Sequence, residues 1–121
     1  MATFNFRDAG YKATNLSDLM QNREKIFKEE LDGKNLTLAD FDWCTMSDGS
    51  AFATVVFEEI PEKFYNCGKQ GSDLIADFIQ AFNGNVEKAR EEYRKAEKIS
   101  IHCEMKKSKA TDNYYLMMRV L

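Results

Sequence analysis

Two runs of alternating aromatic, β-branched and polar residues, over 36–46 and 50–58, meet at Ser47, Asp48 and Gly49. Nothing else in the chain constrains its fold as strongly. Alternation with a period of two marks a half-buried strand, and Asp-Gly between two such runs is a hairpin signal, because glycine takes up the positive φ that a tight turn requires. Phe41, Trp43 and Thr45 share one face of the first run, and Asp42, Cys44 and Met46 share the other. On the second run Ala51, Ala53, Val55 and Phe57 alternate with Phe52, Thr54 and Val56, so both faces are apolar and a central place in a sheet is predicted. Pro61 cannot donate to a ladder and is expected to end this strand at Ile60.

Helical spacing brackets the hairpin. Leu16, Leu19, Met20, Arg23, Ile26, Phe27 and Leu31 recur at three- and four-residue intervals, which predicts a helix over 15–31. Asn15 or Ser17 would cap it, Asp18 would reach back to the cap, and Asp32-Gly33 would stop it. After a turn-rich stretch over 65–71, Ser72 is expected to cap a helix whose apolar stripe is Leu74, Ile75, Phe78, Ile79 and Phe82, and Gly84 to stop it. Asn85 then caps a surface helix over 86–98, thin in apolar residues and laced by pairs such as Glu91 with Lys95.

A second hairpin closes the chain. Ile99, Ile101, Cys103 and Met105 alternate with Ser100, His102, Glu104 and Lys106, and after the polar loop 107–112 a strand over 113–121 returns. The order helix, hairpin, two helices, hairpin predicts one α+β domain over 1–121, an antiparallel sheet from two hairpins with helices packed on one face. Oligomeric state stays open, since Met117, Met118, Val120 and Leu121 would equally finish a sheet or meet a second subunit.

No stretch approaches the roughly 20 apolar residues of a membrane span, and the first residues lack a basic region followed by an apolar segment. A cytoplasmic protein without membrane contact is expected. Three well-separated cysteines, Cys44, Cys67 and Cys103, argue against a disulfide framework. Cys44 and Cys103 read as core residues, and Cys67, beside Gly68 in an expected loop, as the thiol that meets solvent.

Catalytic and metal-binding constellations are not evident. The single histidine, His102, alternates with Cys103 across a strand, so the two point to opposite faces. There is no C-x-x-C or H-x₃-H pair for zinc, and no G-x-G-x-x-G or G-x₄-G-K-[ST] loop for nucleotide phosphates. Asp40 and Asp42 share a strand face, and Glu58, Glu59 and Glu62 cluster, but solvated strand-edge carboxylates account for both groups. No enzyme, cofactor or metal is expected.

Charge is uneven. Net charge is −3, yet residues 98–121 carry 5 basic and 2 acidic side chains against 12 and 18 in residues 1–97. Lys106, Lys107 and Lys109 surround the closing loop; across it come Tyr114, Tyr115 and Arg119, with Tyr115, Met117 and Arg119 on one face. Cations that track phosphates and rings that stack on bases are the means by which single-stranded nucleic acid is held.

Several motifs resemble small proteins encoded by bacteriophages and integrated mobile elements. They are Asn5-Phe6, Asp18-Leu19-Met20 with Arg23, the run over 52–59 followed by Pro61-Glu62-Lys63-Phe64-Tyr65, and Lys106-Lys107-Ser108-Lys109. The closing hairpin is also similar to the lysine-rich terminal hairpins of phage single-stranded-DNA-binding proteins, whose barrel would need a further strand from residues 3–7. The resemblance implies a non-enzymatic binding protein acting on single-stranded nucleic acid or on a replication or recombination protein. Its expected site is Lys106, Lys107, Lys109, Tyr115 and Arg119, with Lys63 and Tyr65 as secondary candidates. The alternative is a protein–protein module, an adaptor or inhibitor of a host protein, which the acidic overall charge would suit.

Overall fold

The computed structural model describes residues 13–15 and 17–121, with side chains from Ser17 onward. Asn5, Phe6, Leu16 and the segment 3–7 lie outside the described residues. Seven strands form one sheet: β1 (Ala13–Asn15), β2 (Glu24–Lys25), β3 (Asn35–Met46), β4 (Ala51–Phe57), β5 (Ile60–Asn66), β6 (Ser100–Lys107) and β7 (Tyr114–Val120). Two helices, α1 (Lys69–Gln80) and α2 (Val86–Lys95), lie between β5 and β6 in the chain. The class is α+β.

The sheet order is β2-β5-β4-β3-β6-β7, with β1 against the far end of β3. β2 runs parallel to β5 while the other pairs are antiparallel, so the sheet is mixed and is not the antiparallel product of two hairpins. The expected first helix is absent, and the helices do not follow the expected order. Ser17 does act as a cap, its Oγ accepting from the Leu19 N–H at 2.9 Å, but the turn it starts is a single 3-10 turn, Asp18–Met20. Asn22 has φ +61°, a left-handed conformation that no helix tolerates, and Ile26 donates its N–H to the Phe64 carbonyl at 2.8 Å, as a strand residue does. The three- and four-residue spacing is met in another way. Leu19 packs with Val56 and Phe64 in a small second cluster, while Ile26 and Leu31 enter the main core.

The Asp48-Gly49 turn forms as expected, with φ +93° at Gly49, and β4 lies between β3 and β5. Pro61 does not end β4. That strand stops at Phe57, the chain turns through Glu58 and Glu59, and Pro61 sits near the start of β5, where no β4 partner needs its missing N–H. A bulge between Leu38 and Asp40 changes the parity of β3, so Leu36 and Leu38 before it and Phe41 after it all reach the core. At the bulge β3 leaves β6, and the buried Tyr93 fills the divergence: its hydroxyl donates to the Leu38 carbonyl at 2.7 Å and accepts from the Ile99 N–H at 2.9 Å.

Ile75 and Ile79 of α1 and Ala89 and Tyr93 of α2 pack into the main core with Phe41, Val55 and Ile101. Helix α1 starts a turn earlier than its serine suggested. Gly68 is the N-cap, and Ser72 lies buried within the first turns, accepting from the Ala53 N–H at 3.0 Å and donating to the Cys67 carbonyl at 3.2 Å. Asn85 caps α2 by accepting from the Lys88 N–H. That helix ends at Lys95, where Lys98 folds back to its last carbonyls; its side-chain pairs are Lys88 with Glu91 and Glu92, and Lys95 with Glu92.

Candidate nucleic-acid interface

Seating α1 against the sheet brings three separate pieces of chain together. Gly71 makes the close approach possible: a Cβ there would lie 2.6 Å from Met118 Sδ and 2.9 Å from Cys67 Cβ. The N-terminus of α1 thereby comes to stand beside the tip of the β6–β7 hairpin, with β2 and the 3-10 turn Lys28–Glu30 opposite. Between them lies a groove of about 950 Å³.

Six lysines line it: Lys25 and Lys28 on one wall, Lys69 at the start of α1, and Lys106, Lys107 and Lys109 on the hairpin. Glu29 is the one lining carboxylate. Lys69 pairs with Asp73 at 2.9 Å, Lys106 with Glu104 at 3.4 Å and Lys107 with Asp112 at 3.7 Å, but these are exposed pairs that water and salt screen, and they hold the ammonium groups weakly. Lys25, Lys28 and Lys109 have no ion pair among the described residues. The groove also reaches Gly68, Lys69 and Gln70, the first turn of α1, whose amides lack intrahelical acceptors and form the positive end of the helix dipole.

Aromatic rings accompany the charge. Phe27 is 56% exposed and Tyr114 54%, with Tyr115 beside them; Lys25 Nζ sits 5.5 Å from the centre of the Phe27 ring. The floor is buried. Tyr65 is on β5, not in a turn-rich loop, and burial, reinforced by the neighbouring Cys67 and Cys103, pushes its hydroxyl pKa up against a partial offset from the Gly68 amide. Cys67 is not a solvent-facing thiol: it is 5% exposed, donates its N–H to the Ala53 carbonyl and packs beneath Gly71. Burial, with Cys103 adding to it, drives its thiol pKa far up, and burial pushes Cys103 up to about 11. Neither supplies thiolate at neutral pH.

Of the residues singled out in the sequence, Lys106, Lys107, Lys109, Tyr115 and Tyr65 line this groove. Arg119 and Lys63 do not. Arg119 lies farther along the outer face of β7, opposite His102, and Lys63 pairs with Glu24 at 3.8 Å on β5. The second wall, Lys25, Phe27 and Lys28, went unrecognised although its residues are adjacent in sequence, because the same stretch fits a helical stripe.

The other polar groups are engaged elsewhere. His102 Nδ1 lies 2.6 Å from Asn35 Oδ1 and Nε2 lies 3.2 Å from Glu104 Oε1, so its partners are strand neighbours. Asp40 and Asp42 close on Arg90 of α2, which is 6% exposed: Nη2 is 3.2 Å from Asp40 Oδ2, Nη1 is 3.2 Å from Asp42 Oδ2, and Asp18 stands at 3.6 Å. Burial by itself would lower the Arg90 pKa, but Asp40, Asp42 and Asp18 together raise it, which keeps the guanidinium charged. Among the described residues no three His, Cys, Asp or Glu side chains are arranged to hold a metal, and no helix is long and apolar enough to cross a membrane. Comparison of the chain with protein-family models, with curated proteins and with solved structures gives no match.

Proposed function

We propose that this chain is a non-enzymatic binding protein that holds single-stranded nucleic acid in the lysine-lined groove, in the cytoplasmic setting of a phage or mobile element that its motifs suggest. One observation carries the reading: six lysines and a single carboxylate share one groove in a chain whose net charge is −3. Like charges gathered by a fold repel one another, and a polyanion relieves that repulsion while releasing its own condensed counterions. Exposed Phe27, Tyr114 and Tyr115 offer faces on which unpaired bases stack, a contact that needs no particular sequence. A duplex, whose bases are already stacked, gains nothing from those rings.

Fluorescence anisotropy of a labelled single-stranded oligonucleotide tests the reading. Lys25, Lys28 and Lys69 changed together to Ala, or Lys106, Lys107 and Lys109 changed together to Ala, each weaken binding by roughly tenfold or more at low salt. Arg119→Ala and Lys63→Ala leave it within about twofold. Absence of binding at low salt overturns the proposal and turns the search to an acidic protein surface as the occupant of the groove.

A further inference from the structure

The β7 strand ends the sheet, and no described strand pairs with its outer edge. Leu121 donates its N–H to the Ser100 carbonyl and Ser108 donates to the Asn113 carbonyl, both at 2.9 Å, so the odd-numbered residues from Asn113 to Leu121 turn their backbone groups toward β6. Those of Tyr114, Leu116, Met118 and Val120 therefore point outward. They make no hydrogen bond among the described residues.

Other edges are blunted. At the opposite end β2 has two residues, and β5 beneath it carries Pro61, Glu62 and Lys63. Where β3 leaves β6, Asp40 and Asp42 fold over their own edge, each accepting from the following N–H, of Phe41 and Trp43, at 2.8 Å. Protection of this kind is how sheets avoid pairing with other chains. β7 has none: over seven residues it contains no proline, glycine or carboxylate and one charge, Arg119. The large apolar side chains left exposed are Phe27, Tyr114, Tyr115, Val120 and Leu121, four of the five on β7 or next to it.

We infer that β7 is a homodimerisation edge whose occupant is the β7 of a second copy, joined antiparallel about a two-fold axis through Met117. The strand matches itself in that register. Leu116 meets Met118 and Tyr114 meets Val120 of the second copy on the inner face, through the outward backbone groups; on the outer face Tyr115 meets Arg119, a ring against a guanidinium, and Met117 meets its own equivalent. No like charges face each other. This self-complementarity selects a second copy over an unrelated strand. The two lysine grooves would lie at opposite ends of the junction; because Tyr114 and Tyr115 border both the groove and the junction, the dimer is tested in the absence of nucleic acid.

Sedimentation velocity over a concentration series tests it. The wild-type chain is expected to show a monomer–dimer equilibrium at roughly 1–100 μM, as a small interface gives. Val120→Pro removes an outward N–H that no internal bond uses, and it is expected to be monomeric with an unchanged circular-dichroism spectrum. Tyr115→Glu places a carboxylate opposite Arg119 and tightens the dimer by up to roughly tenfold, and adding Arg119→Glu reverses the gain to weaker than wild type. The two positions are four residues apart on one strand and do not touch within a chain, so the reversal reports the register. A wild-type monomer throughout, a Val120→Pro dimer of unchanged affinity, or a double variant as tight as Tyr115→Glu overturns the inference.

Discussion

Arg90 and the groove lysines are two gatherings of charge built on opposite terms. Arg90 is buried, and Asp18, Asp40 and Asp42 surround it from the 3-10 turn and from β3. The six lysines stand around an open groove with one carboxylate among them. Removing a charge from water is tolerable only when partners replace the water, so the Arg90 guanidinium is matched within the fold by three carboxylates, one of which Arg94 also contacts, and it has nothing left to offer an anionic ligand. Lysines gathered at an open groove, unpaired or held only by exposed, screened pairs, do the reverse: they add repulsion to the folded state and remain available. Burial with matching marks a structural role, and exposure with weak matching or none marks a binding surface.

The contrast is broken most forcefully at Arg90. Arg90→Ala leaves Asp42 without its cation and Asp40 with only Arg94 at 3.5 Å, and is expected to cost about 3 kcal/mol, read as a lowered urea midpoint, while oligonucleotide affinity of the folded variant stays within about twofold. If stability is unchanged, the cluster is not the structural device described. Gly71→Ala comes next and strikes both sides of the comparison. The added methyl forces Met118 or Cys67 aside, which is expected to cost about 1–3 kcal/mol and, by lifting α1 from β7, to weaken oligonucleotide binding as well. A loss of stability with no loss of binding would separate the groove from the seating of α1.

The smallest expected effect belongs to Glu59, an exposed carboxylate that is matched without being buried. Its slight burial would raise its pKa, but the Thr37 N–H and Oγ, at 2.8 and 2.7 Å, outweigh this and hold it below its ordinary value of 4.5. A carboxylate depressed in the folded state lends stability above its unfolded pKa and loses it as pH falls through the folded value. Urea midpoints measured from pH 7 to pH 3 should therefore fall slightly more for the wild type than for Glu59→Gln. Identical pH profiles would remove Glu59 from the account.

Sequence reasoning reached the elements whose signals are local. The Asp48-Gly49 hairpin, the cap at Asn85, the stripe of α1 and the closing hairpin are each specified by residues within a few positions of one another. What escaped it depends on distant partners. β5 exists because β4 offers an edge, and its proline and charges hid it. The stretch 17–31 has a helical period, yet its apolar residues are divided between two cores by the sheet that runs between them. Half of the groove was legible as the lysines and tyrosine of the hairpin. The other half, Lys25, Phe27, Lys28 and Lys69, is brought into place by the parallel β2–β5 pair and by Gly71, which are visible only in three dimensions.

The most direct test of the central claim, that the two walls form one electrostatic surface for a single strand, is the slope of log Kobs for a single-stranded oligonucleotide against log salt concentration. If all six lysines meet phosphates, a factor of about 0.7 per contact gives a slope of about −4, and removing the three lysines of either wall halves it to about −2. A wild-type slope near zero, or one that persists when Lys25, Lys28 and Lys69 are replaced, would contradict the claim.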